Sequence, residues 1–251
     1  MPVLLYHSVN ERPAAGQEIY TVTPAAFREH ARALAESGRS AITVGEYASV
    51  LRGERYLPPR PVIITFDDGF ADTRAAVEVL LDGGLAASVF VTSGLIGLEG
   101  MLTRDGVREL AGLSRRVELG AHTVTHPRLD EIGPARAARE IGGSRSALEQ
   151  IAEMPVGSFA YPHGAYDRRV RELVAEAGFS AGAAVKNALS HSRDDPLALA
   201  RVTITARTTT RQVEALLSGS GARLVGSRER IRTRGYRAVR RLRRRTLEGV
   251  A

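Results

Sequence analysis

The run Val62-Ile63-Ile64-Thr65-Phe66 is continuous, apolar and rich in β-branched residues. A strand without a polar face has to be covered on both sides, as in a parallel sheet flanked by helices. The rest of the chain repeats that theme. Further strands are expected at Pro2–Tyr6, Ala87–Thr92, Arg116–Ala121, Gly157–Tyr161, Ser180–Val185 and Arg201–Thr205. A helix is expected after Thr23-Pro24, where a hydroxyl N-cap precedes proline at the first helical position and Phe27, His30, Ala31 and Leu34 follow at helical spacing. Others are expected at Gly45–Arg52, Thr73–Leu81, Thr103–Leu113, Pro134–Glu153, Asp167–Ala177 and Thr209–Leu217. Strands alternating with helices make βα units and a parallel sheet. Six or seven units in this length favour a barrel or partial barrel over a short open sheet.

At 251 residues with 43% apolar content, the chain is long enough for one such barrel and its core. Residues 1–222 form the expected barrel domain. The remainder, 223–251, is an arginine-rich tail with eleven arginines against Glu229 and Glu248. The formal charge of +7 therefore divides into +9 for the tail and −2 for the barrel, so the basicity says little about the active site. The absence of cysteine excludes disulfides, zinc–thiolate sites and cysteine nucleophiles. The N-terminus Met1-Pro2-Val3-Leu4-Leu5-Tyr6-His7 lacks the basic and long apolar regions of a signal peptide, and no run is apolar for long enough to span a bilayer. These features give the expectation of a cytoplasmic protein, peripheral to a membrane. In the tail, Tyr236, Val239 and Leu242 recur among arginines as in a basic helix on anionic lipid. Tyr236 is the tail's one aromatic, too little for stacking on bases, so no specific nucleic acid is expected. A solvated tail is the alternative.

Three polar clusters fall at strand ends, where parallel α/β folds place their sites. In Thr65-Phe66-Asp67-Asp68-Gly69 a buried strand runs straight into two carboxylates. By itself this is equally an acidic turn or a helix cap. His122-Thr123-Val124-Thr125-His126 puts two imidazoles four residues apart, on one face of a helical turn and close enough to reach a single ion; a pair of surface histidines has the same spacing. Phe159-Ala160-Tyr161-Pro162-His163-Gly164 closes another strand with a proline- and glycine-shaped loop, either an ordinary βα turn or a set of N–H groups aimed at an oxyanion. Together the first two clusters supply one aspartate and two histidines, three protein ligands that leave a position open for water. A divalent ion there lowers the pKa of water, and the other aspartate is free to take its proton.

These clusters, in this order, resemble the polysaccharide deacetylases of carbohydrate esterase family 4, the NodB-homology domain. The opening Leu5-Tyr6-His7-Ser8-Val9 is similar to that of a subgroup of small deacetylases, and the resemblance covers roughly residues 2–205. It implies a distorted, incomplete (β/α) barrel of about seven units. It makes Asp67 the base and Asp68, His122 and His126 the ligands of a divalent metal, zinc first, with nickel or cobalt able to replace it. Tyr161, Pro162, His163 and Gly164 would line the substrate groove, with Arg201 as a further substrate contact, and a backbone N–H near His163 would polarise the acyl oxygen. The implied reaction is hydrolysis of an N-acetylated saccharide to acetate and a free amine.

The chain departs from the family pattern at several points. Ala160 stands where many members carry the arginine that holds the catalytic aspartate, which leaves Arg201 as the candidate partner. His163 stands where many have tyrosine. There is no tryptophan, and the late leucine-x-x-histidine of the general acid has no match. His7, His163 and His191 are the acid candidates. Two other functions fit the same residues. One is a metal-dependent hydrolase of a non-peptide C–N bond in a small non-sugar molecule. The other is a basic surface-binding protein with a vestigial barrel.

Overall fold

The computed structural model describes residues 1–219. The arginine-rich tail, with the membrane contact and amphipathic helix expected of it, lies outside the described residues. In chain order the elements are β1 (Val3–Tyr6), β2 (Ser8–Val9), β3 (Thr21–Val22), α1 (Pro24–Glu36), β4 (Ser40–Ala41), α2 (Val44–Leu51), β5 (Pro61–Phe66), α3 (Thr73–Asp82), β6 (Ala87–Val91), α4 (Arg104–Gly112), β7 (Val117–Ala121), α5 (Pro134–Ala152), β8 (Ser158–Ala160), α6 (Arg168–Glu176), β9 (Ala181–Val185), β10 (Leu199–Thr203) and α7 (Thr210–Ser218). Short 3₁₀ turns follow β6 at Ser93–Leu95 and β8 at Pro162–Gly164.

Local chemistry starts the helices. Thr23 caps α1 through Ala26 N–H, and Asp167 caps α6 through Val170 N–H. Reciprocal capping boxes, Thr43 with Glu46 and Thr209 with Gln212, open α2 and α7.

The sheet order is β1-β10-β9-β8-β7-β6-β5, every pairing parallel, and β1 returns to pair with β5 through Val3–Ile63 and Tyr6–Phe66. The result is the expected (β/α) barrel, closed with seven strands. Side chains alternate across its wall. From β5, Val62, Ile64 and Phe66 join the apolar layer beneath the outer helices, while Ile63 faces inward with Val3, Phe90, Ala160, Ala183 and Leu199. Val44, Tyr47 and Ala48 of α2 pack into this inner cluster and close the N-terminal end of the barrel.

A two-residue shift in β10 matters for function. The sequence reading starts this strand at Arg201, but it begins at Leu199, whose alanine neighbours have weak strand propensity. Arg201 therefore sits at the centre of the strand and inside the barrel, fully buried.

Candidate metal centre

The inward alternation of β5 continues past its end. Ile63 and Thr65 face in, and Asp67 follows them into the barrel mouth. Asp68 would point outward on a regular strand. Instead it adopts φ 74°, and Gly69 follows at φ 86°, so both carboxylates turn to the same opening. A Cβ on Gly69 would lie 3.0 Å from the Val91 side chain, a second reason for glycine there. Among the described residues, seven other than glycine have positive φ, and four of them are Asp68, Thr123, His126 and His163. Backbone strain thus concentrates at the three strand-end clusters, as it does at functional sites.

The Nε2 atoms of His122 and His126 are 3.2 Å apart. They lie 3.4 Å and 3.3 Å from Asp68 Oδ1. A tetrahedral ion with bonds of about 2.0–2.2 Å sets its ligand atoms about 3.3–3.6 Å apart, so this triangle matches one face of such a shell. The protonation pattern agrees. His122 Nδ1 donates to Ala160 O at 2.8 Å, which leaves Nε2 as a lone pair aimed at the opening. Asp68 Oδ1 is buried without a hydrogen-bond partner among the described residues. Three such ligand atoms converging on one point, with His122 Nε2 free to present its lone pair, form a donor set for a cation. Burial pushes the Asp68 carboxyl up, but the two imidazoles outweigh it and hold it well below the usual carboxylate range. Burial lowers His122, but Asp67 and Asp68 outweigh that and leave it raised.

Asp67 sits against this triangle, its Oδ2 3.8 Å from His122 Nε2. Arg201 grips it from below: Nη1 donates to Oδ1 at 2.6 Å and Nη2 to Oδ2 at 2.7 Å. Nη1 also donates to Thr65 Oγ1 at 3.1 Å. Burial raises Asp67, yet Arg201 and His122 bring it below its ordinary value, so it is ionised at neutral pH. The expectation that Arg201 contacts substrate is corrected. Its guanidinium is fully buried beneath Asp67 and does not line the cavity.

The cavity above these groups has a volume of about 280 Å³ and is lined by His7, Gln17, Tyr20, Arg128 and His163, among others. His7 leaves β1 on the same rim, and its Nδ1 is buried without a partner among the described residues. Asp72 holds the adjoining turn, accepting from Ser8 Oγ at 2.8 Å and Val9 N–H at 3.0 Å. His163 reaches the rim with its ring 4.5 Å from that of His126. Burial and the charge of His126 lower His163 to about 4. His191 belongs to the opposite end of the barrel, where the neighbouring Ser190 N–H donates to Met1 O at the start of the chain.

The other expected groove residues need correction. Tyr161 is fully buried, its hydroxyl donating to Leu197 O at 2.8 Å and its ring stacked on Tyr166. Pro162 and Gly164 are also buried. Gly164, at φ 61°, lies so close to Val185 that a Cβ would approach within 2.8 Å. These three shape the turn and leave only His163 on the cavity. The N–H groups of Gly164 and Ala165 are engaged within the turn by the carbonyls of Tyr161 and Pro162.

Glu140 of α5 is a contributor that the sequence reading missed. Its carboxylate accepts from Val124 N–H at 3.0 Å, Thr125 N–H at 2.8 Å and Thr125 Oγ at 2.7 Å. It thereby clamps the loop between the two histidines. The available signal was an acidic residue within the apolar stripe Ala137, Ile141, Leu148. Glu140→Ala is expected to weaken divalent-metal affinity by about 10–100-fold while the barrel stays folded. Competition titration against a chelator measures this, and unchanged affinity would remove the positioning role.

The comparisons with known proteins agree with this architecture. A match to the polysaccharide deacetylase family spans residues 54–182, more than half of the chain. The span includes Asp67, Asp68, His122 and His126, but neither His7 nor Arg201. A Bacillus subtilis (strain 168) protein named for the polysaccharide deacetylases, YxkH, is 25% identical over 205 residues, covering 81% of this chain and 71% of YxkH. The poly-beta-1,6-N-acetyl-D-glucosamine N-deacetylase of Escherichia coli (strain K12) is 30% identical over 134 residues, which is 47% of this chain but only 20% of that enzyme. The Streptococcus pyogenes deacetylase PplD, solved in complex with acetate, shares the fold with a TM-score of 0.76 at 22% identity, over 84% of this chain and 95% of PplD. Sequence match and common barrel together make this chain a member of the polysaccharide deacetylase family.

Proposed function

We propose that the protein is a metal-dependent hydrolase that removes N-acetyl groups from an N-acetylated saccharide. The observation that carries this reading is the triangle of Asp68 Oδ1, His122 Nε2 and His126 Nε2 beside a carboxylate locked by Arg201. A divalent ion held by these three side chains supplies Lewis acidity, polarising a carbonyl and lowering the pKa of water; zinc suits two imidazoles and a carboxylate, and nickel or cobalt accept the same donors.

The remaining steps belong to the chain. Asp67 is the base that takes a proton from the attacking water. Each of its oxygens gives one lone pair to Arg201 and keeps another for that proton. The His163 N–H is the donor proposed for the acyl oxygen. As the carbonyl carbon gains the water oxygen and the C–N bond breaks, the leaving nitrogen takes a proton from a general acid. His7 is the residue proposed for this role. It lines the cavity with an unpartnered Nδ1; burial lowers its pKa, and the charges of Asp67 and Asp68 oppose that shift without reversing it. His163 lies too far below neutrality to hold the proton, and His191 is at the wrong end of the barrel.

The test is acetate release from N-acetylated oligosaccharides by the metal-loaded protein. A folded, loaded protein that releases no acetate from any of them would sink the proposal. His7→Ala is expected to lose the alkaline limb of the pH–rate profile, and an unchanged limb would exclude His7 as the acid.

A further inference from the structure

Arg128 is a charged residue of the cavity with no part in the chemistry above. It follows His126-Pro127, so the loop that delivers a metal ligand also delivers this guanidinium to the rim. The chain beyond it is anchored. Leu129 is fully buried, and Arg169 Nη2 donates to Leu129 O at 3.3 Å and Ile132 O at 3.0 Å. Arg128 is half-buried, and no carboxylate pairs with it among the described residues. It differs in this from Arg201, whose charge Asp67 neutralises.

The charges of the cavity do not cancel. Asp67 is balanced by Arg201, and Asp68 offsets half of a divalent ion. Arg128 adds a further positive charge that no acid neutralises among the described residues. A cleft lined with one sign of charge concentrates ligands of the other sign. A guanidinium meets a carboxylate or a phosphate through two parallel hydrogen bonds, a match that neutral sugar hydroxyls do not offer. We propose that the preferred substrate is an anionic saccharide, with a carboxylate or phosphate next to the N-acetyl group, and that Arg128 is the residue that selects it. This inference rests on the deacetylase reading and specifies its substrate class.

The experiment compares three N-acetylated saccharides of equal length: neutral, carboxylate-bearing and phosphate-bearing. Each is assayed with the wild-type protein, Arg128→Gln and Arg128→Lys. The wild type is expected to prefer one or both anionic substrates, and that preference should shrink with added salt. Arg128→Gln should lower kcat/KM on the preferred anion by about tenfold to a hundredfold, the range of a hydrogen-bonded charge, mainly through KM. The loss on the neutral substrate should be much smaller. Arg128→Lys should recover part of the loss, since it keeps the charge without the fork. Whichever anion loses more identifies the group.

Equilibrium binding of the same saccharides to chelator-treated protein gives a readout without turnover, and Arg128→Gln should weaken anion binding there as well. Equal losses on neutral and anionic substrates, or a wild type with no anionic preference in rate or binding, would overturn the inference. Acetate release from the neutral substrate alone would overturn it and leave the deacetylase reading standing. With no release from any substrate the deacetylase reading fails, and the binding measurement still decides the role of Arg128.

Discussion

Asp67→Asn is expected to reduce turnover by about 10²–10⁴-fold, the range for loss of a general base. Metal content should stay close to that of the wild type, because the converging ligand atoms belong to Asp68, His122 and His126. Asparagine keeps the shape and offers Arg201 one acceptor in place of two. It also leaves that buried guanidinium without a countercharge. Breaking a buried ion pair costs about 3–5 kcal/mol, so a fall in Tm should accompany the loss of rate. Rates are therefore to be measured on the folded fraction and normalised to bound metal.

A companion variant separates chemistry from stability. Arg201→Gln removes the cation that brings Asp67 below its ordinary pKa. With that cation gone, burial pushes the carboxyl up, and Asp67 holds its proton to higher pH. The acidic limb of the pH–rate profile should move to higher pH, with activity recovering as the pH rises. A merely structural pair would lower the rate at every pH and leave the limb in place. Equal loss of metal in Asp67→Asn and Asp68→Asn would show that the two carboxylate roles are misassigned.

The second large effect concerns the metal. Chelation is expected to abolish acetate release, and zinc, cobalt or nickel salts to restore it. His126→Ala should remove the bound ion, leaving two ligands where three converge within 3.4 Å. Full metal content with full turnover in that variant would refute the site. The titration of His122 gives the sign of the pH dependence. Its pKa is raised, so a proton competes for Nε2 from a higher pH than at an ordinary histidine. Affinity should therefore be full on the alkaline side and fall as the pH drops through that raised value. Metal affinity measured across this range checks it, and an affinity independent of pH would show that His122 is not a ligand.

The barrel and the strand-end chemistry were legible because both are written in short segments. Val62–Phe66 has no polar face and has to lie inside a parallel sheet. Thr23, Thr43, Asp167 and Thr209 start their helices through hydrogen bonds that span three residues. Alternation along β5 fixes the direction of Asp67 once the strand is known. The spacing of His122 and His126 showed that they meet, although they do so through a loop with Thr123 and His126 at positive φ and not through the expected helical turn. Each of these features depends on neighbours within a few positions, so spacing suffices to read it.

What the tertiary structure decided lies between distant parts of the chain. Arg201, the candidate partner left by the departure at Ala160, does meet Asp67 across 134 residues, but its burial depends on where β10 begins in the closed barrel. A two-residue error in the start of that strand is enough to mistake a buried clamp for a substrate contact. Tyr161, Pro162 and Gly164 carry the same local pattern whether they face a groove or the core. Packing against Tyr166, Leu197 and Val185 put them in the core. Glu140 and Arg128 gained their places when α5 and the loop after His126 docked on the barrel mouth. Sequence spacing carries a site's local geometry. Burial and charge pairing are set by the whole fold, because they depend on what the other strands and helices bring alongside.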